Sequence, residues 1–196
     1  MKNYEYGRIR ILATKLAEAG VSQDIADRIL EGGELVLGST KPDKKADWMR
    51  EAMSRMDTLL DPQTRHAIRE GCACCLGGKR LQISKGIAKE HESLEDRIEA
   101  ANKARFVFGH SVTKENDGKI VVRFAPEGQE SYRCVCLPKA KEPVSITYCY
   151  CCGGHVKHHL QTALGRKLSC QVQSSPLSTG GKSPCTFIFA INDDSD

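Results

Sequence analysis

The sequence predicts an α+β protein: a helical N-terminal half packed on an antiparallel β-sheet with one or more flanking helices. Three observations carry this. Through residue 103, apolar side chains recur at helical spacing. Beyond residue 104 they alternate, around an Asn116-Asp117-Gly118 turn of the kind that joins hairpin strands. Helical and stranded stretches are also segregated along the chain, the hallmark of α+β rather than α/β. The two regions, 1–103 helical and 104–196 a small-molecule-binding type of α+β unit, read as one integrated domain. With 40% hydrophobic residues among 196, the chain can build its core without covalent staples.

The elements follow in order. Tyr6, Ile9, Leu12, Leu16 and Ala17 share one face of a helix over about 5–19, which Gly20 ends. Ser22 caps a second helix carrying Ile25, Ile29 and Leu30, broken by Gly32-Gly33. A third spans about 45–60 with Trp48, Met53 and Met56. Asp61 as N-cap and Pro62 at the first helical position open a fourth, which runs into Gly71-Cys72-Ala73-Cys74-Cys75. Two more cover about 79–90 and 94–103, the latter capped by Ser93 with Glu95 and Asp96 at its positive end. Strands are then expected at Phe106–His110, at Ile120–Phe124 across the hairpin, at Tyr132–Leu137 and at Val144–Tyr150. Gly153-Gly154 introduces a helix over about 155–164, closed by Gly165. Strands at Leu168–Gln173 and Thr186–Ile191 flank a Gly180-Gly181 turn. The polar tail Asn192–Asp196 reads as frayed.

Composition narrows the function. The 29 Lys and Arg against 25 Asp and Glu leave a net charge of only +4, with the signs interspersed. Aromatics are 6%, too few for a base-stacking surface, so nucleic acid is not the expected partner. No stretch approaches the ~20 apolar residues of a membrane span. Met1–Leu16 lacks the apolar core of a signal peptide, so a cytoplasmic, reducing location is expected.

There the ten cysteines need a chemical explanation. Eight fall in three clusters: Cys72/Cys74/Cys75, Cys134/Cys136 and Cys149/Cys151/Cys152; Cys170 and Cys185 stand alone. Residues two apart on a strand share a face. Cys134 with Cys136, and Cys149 with Cys151, would then direct four sulfurs to one point. Four thiolates suit tetrahedral zinc, and next an iron–sulfur cluster. Cys72, Cys75 and Cys185 are candidate further ligands. The phrases Cys-Ala-Cys-Cys-Leu-Gly-Gly at 72–78 and Cys-Tyr-Cys-Cys-Gly-Gly at 149–154 suggest that the two glycine-followed clusters face each other. Cys170 reads as core. His155 and His159 share a helix face but lack the Glu of a zinc-protease helix, and with His158 and Lys157 they read as a solvated basic face. A dithiol redox role would need an exposed thiol of low pKa among Cys72–Cys75.

The phrase Tyr148-Cys149-Tyr150-Cys151, Gly154, Ala163-Leu164-Gly165-Arg166-Lys167-Leu168, and Gly181-Lys182-Ser183-Pro184-Cys185-Thr186-Phe187 resembles the 4-vinyl reductase domain family. It is also similar to the L-2-amino-thiazoline-4-carboxylic acid hydrolase-like group, whose N-terminal cysteine motif Gly71–Cys75 resembles. The likeness covers about 104–196. It implies an antiparallel sheet flanked by helices, often in a homodimer, and a pocket for a small apolar or heterocyclic ligand. In some members it implies zinc held by cysteines that map to Cys151 and Cys185. The family's two other ligand positions fall at about Ser174 and Leu177, which cannot serve, and the extra cysteines Cys134, Cys136, Cys149 and Cys152 are the available substitutes. A small-molecule-binding protein with a cysteine-based zinc site is the leading expectation. A hydrolase of a small sulfur or nitrogen heterocycle, and a dithiol redox protein, follow.

Overall fold

A computed structural model describes residues 3–192; the tail positions 193–196 lie outside them. The helical half is as expected in kind: α1 Gly7–Glu18, α2 Gln23–Ile29, α3 Pro42–Leu59, α4 Pro62–Gly71, α5 Gly78–Glu90 and α6 Leu94–Lys103. The cap residues act as their chemistry requires. Ser22, Asp61 and Ser93 accept from the backbone N–H of Ile25, Thr64 and Asp96. Ile9, Leu12 and Leu16 of α1 are fully buried, each contributing about 1.5–3 kcal/mol of hydrophobic stabilisation.

The sheet is smaller than expected. A short helix α7, Arg105–Phe108, replaces the strand over 106–110. Gly109, with φ 84°, then turns the chain into β1, Ser111–Lys114. Its Cβ-less backbone lies against Arg123 and Phe124, where a side chain would collide. β1 pairs across the hairpin with β2, Ile120–Phe124. The remaining strands are β3, Leu168–Ser174, and β4, Cys185–Ile191, and the antiparallel order is β1-β2-β4-β3.

Two further expected strands are absent among the described residues. Tyr132–Leu137 has no ladder partner, yet its alternation persists in space: Val135 is 90% exposed while Cys134 and Cys136 are half-buried. At 144–150, Ser145 accepts from Thr147 N and starts a 3-10 turn, Ile146–Cys149. That turn runs directly into α8, Tyr150–Leu164. Cys149 and Cys151 are therefore related by a helical twist, not by strand alternation.

α8 is the central element. Gly154 lets it meet the end of α4 at the Glu70 backbone, and Gly153 lets it meet β3 at Cys170. Lys157 Nζ pairs with Glu70 Oε2 at 2.7 Å beside that crossing. One continuous cluster of buried residues, from Tyr4 to Phe189, joins helices and sheet. Among the described residues no helix is long and apolar enough to cross a membrane.

Candidate functional site

A cavity of about 440 Å³ opens between the helices and the sheet. Eight of the ten cysteines line it: Cys72, Cys74, Cys75, Cys134, Cys136, Cys151, Cys152 and Cys185. Three parts of the fold deliver most of them. The loop after α4 brings Cys72–Cys75, the irregular segment after β2 brings Cys134 and Cys136, and the first turn of α8 brings Cys151 and Cys152. The expected quartet is thus changed in one member. Cys149 is turned away from the cavity, buried and donating to Ser175 Oγ at 3.0 Å. Its neighbour Cys152 takes that place, with Sγ 3.4 Å from Cys136 Sγ. Cys170 lies under α8, as expected of a core thiol.

The thiols are not equivalent. Cys136 is held down at about 3 by hydrogen bonds from Cys134 and Cys152, with Arg8 adding positive charge. Cys134 and Cys152 are pushed up because they donate those bonds. Cys151 is lowered to about 7 by its bond with Cys152 and the charge of Arg69. Burial raises Cys72, and it raises Cys185 to about 11. Cys74 also rises to about 11, burial leading. Cys136 is thus the thiol most favoured to ionise, whereas Cys72 and Cys74, in the cluster where a redox role would need a low value, are raised.

The cysteine-rich loop is clamped by histidines. His155 Nδ1–H donates to Cys74 O at 2.8 Å, His159 Nε2–H to Cys75 O at 3.1 Å and His158 Nε2–H to Leu76 O at 3.1 Å. His159 is fully buried. These side chains are structural fasteners, which corrects the expectation of a solvated face. The two glycine-followed clusters do face each other, across Gly154 and this clamp. Cys75 adopts φ 61°, the left-handed region a non-glycine residue rarely enters.

Arginines frame the cavity. Arg8 Nη1 donates to Cys136 O at 2.7 Å and to Tyr148 Oη at 3.0 Å. The buried Arg69 donates from Nη2 to Tyr148 O at 3.1 Å and lies 4.9 Å over the Tyr148 ring. Arg80 and Arg133 complete the basic lining. None carries a motif: Arg8 and Cys136 are 128 positions apart. No signal in the sequence marks these arginines, because only folding brings them together.

Soft, thiolate-rich donors without a carboxylate suit zinc or an iron–sulfur cluster more than hard cations. Two sulfurs on one tetrahedral zinc stand ~3.8 Å apart, given Zn–S bonds of ~2.3 Å. The Cys136–Cys152 pair, at 3.4 Å, is near that spacing. Among the described residues no group of three or more His, Cys, Asp or Glu side chains is arranged as a metal site. The donor chemistry fits; the full ligand geometry is not formed.

A family model described as a family of unknown function (DUF6144) matches residues 9–186. No curated protein and no solved structure matches the chain.

Proposed function

The chain belongs to the family of unknown function (DUF6144), and from its cavity we propose a cytoplasmic small-molecule-binding protein with a cysteine-based zinc site. One observation carries the reading: eight cysteines from four separate segments converge on one cavity. Cys134, Cys136, Cys151 and Cys152 would hold the ion, with Cys72, Cys75 and Cys185 within the same walls. Cys136 supplies a ready thiolate, and Cys151 ionises near neutral pH. The segment bearing Cys134 and Cys136 has no strand partner, so it can close on an ion without breaking a sheet. The ion would fix that segment across the cavity. The apolar wall beside it would receive the small ligand, and a reducing compartment would keep the thiols available.

The test is metal analysis of protein purified without oxygen, with thiol titration before and after chelation. Stoichiometric zinc, with Cys134, Cys136, Cys151 and Cys152 protected until chelation, supports the site. Iron with acid-labile sulfide would replace zinc by a cluster. Metal-free protein with every thiol titratable sinks the metal reading.

The 3.4 Å Cys136–Cys152 contact also favours a dithiol reading. A thiol-disulfide oxidant would accept two electrons as the two thiols lose two protons and join. Rapid, reversible loss of those two free thiols in metal-free protein, with a Cys136–Cys152 peptide found by mass spectrometry, is its signature.

A further inference from the structure

Three arginines elsewhere in this chain pair with acids. Arg50 pairs with Glu51, Arg55 with Glu31 and Glu51, and Arg65 with Asp57. Arg8, Arg69, Arg80 and Arg133 line the cavity, and among the described residues no aspartate or glutamate does. Among the described residues none of the four makes a carboxylate ion pair.

Arg69 is the strongest case. It is 3% exposed, and its Nε is buried with no hydrogen-bond partner among the described residues. His110, on the same cavity wall, has a buried Nδ1 in the same condition. An unmatched buried donor costs about 1–3 kcal/mol, and a buried charge more, unless something in the functional state satisfies it. Much of the remaining wall is apolar, with Ile11, Met49, Phe124, Val156 and Phe187. A volume of about 440 Å³ is in the range of small-molecule sites.

We propose that the cavity binds a small organic anion, a carboxylate on an apolar body, with the carboxylate held by Arg69 and its neighbouring arginines. The apolar body lies along the phenylalanine wall. This rests on reading the cavity as a ligand site, and it stands with or without a metal.

Titration calorimetry of the reduced, full-length protein tests it, with 2-naphthoate and its neutral analogue 2-naphthamide as probes. Charge-assisted hydrogen bonds predict that the carboxylate binds about tenfold tighter than the amide. That preference shrinks several-fold in Arg80→Met and in Arg69→Lys, and on raising salt. Arg80 is half-buried, so Arg80→Met carries the test where Arg69→Lys does not fold. Equal affinity for the two probes overturns the anion site while leaving a ligand cavity. Preference retained in every folded variant overturns the assignment to these arginines. Binding of neither probe overturns the ligand-site reading itself, and this inference with it.

Discussion

Gly154 on α8 and Glu70 at the end of α4 are in backbone contact: a Cβ on Gly154 would overlap the Glu70 carbonyl oxygen and stand 3.0 Å from its Cα. Alanine normally improves a helix by up to about 1 kcal/mol over glycine. Here the obstacle is backbone, which cannot swing aside as a side chain would. Gly154→Ala should therefore destabilise by roughly 2 kcal/mol, read as a lower urea midpoint. An unchanged or higher midpoint would mean the helices are not this close.

The neighbouring glycine offers a graded contrast. A Cβ on Gly153 would meet Cys170 Sγ at 2.8 Å, a side chain that can be shortened. Gly153→Ala should destabilise less than Gly154→Ala, and Cys170→Ala should recover most of the loss. Additive losses in the double variant would contradict the contact.

Three helix-end carbonyls depend on Arg97. It donates to Ala88 O at 3.0 Å, His91 O at 2.9 Å and Leu164 O at 2.8 Å, tying α5, α6 and α8 together. Arg97→Met strands all three acceptors and should cost about 3 kcal/mol. A loss below about 1 kcal/mol in denaturant titration would show that solvent replaces the guanidinium.

Stability should fall on mild acidification. His66, His155 and His159 are held below the ordinary histidine value, each chiefly by burial. The unfolded chain then binds more protons than the folded one, so stability rises with pH. This contribution is complete above about 6.5 and is lost as pH drops toward the folded values. Urea midpoints at pH 7.5, 6.5 and 5.5 should descend, and His159→Gln should flatten the descent. A flat wild-type profile would refute it.

Cys136 should be the fastest thiol to alkylate in reduced, metal-free protein, with a rate nearly constant from pH 5 to 8. An ordinary thiol gains about tenfold per unit over that range. Iodoacetamide labelling with peptide mapping reads the order. Leading reactivity at Cys74 or Cys75, the two exposed thiols, would relocate the thiolate.

Local signals were legible and distant ones were not. Ser93 and Asp61 mark helix starts because a cap acts over three residues, and Asn116–Gly118 marks a hairpin for the same reason of range. The segment 132–137 carries a strand's alternation, but a ladder needs a free neighbouring edge, and only the folded chain decides whether one is present. At 144–150, Ser145 started a turn that β-branched and aromatic residues had disguised as a strand. The cysteine clusters were visible as a count. Which member of Cys149–Cys152 faced the cavity depended on helical phase, and the arginines depended on tertiary packing alone.

The bond from Arg8 to Cys136 spans 128 positions, and the cavity wall also includes Phe187 on the last strand. Its walls are therefore complete only after nearly the whole chain has been made and docked. A ligand of this cavity, as proposed, would recognise finished molecules and ignore nascent or partly opened ones. Because it would bind only the folded state, its binding energy would add to global stability. Occupancy would then act as an inspection of assembly: chains that fold correctly are retained longer, and those missing either end gain nothing.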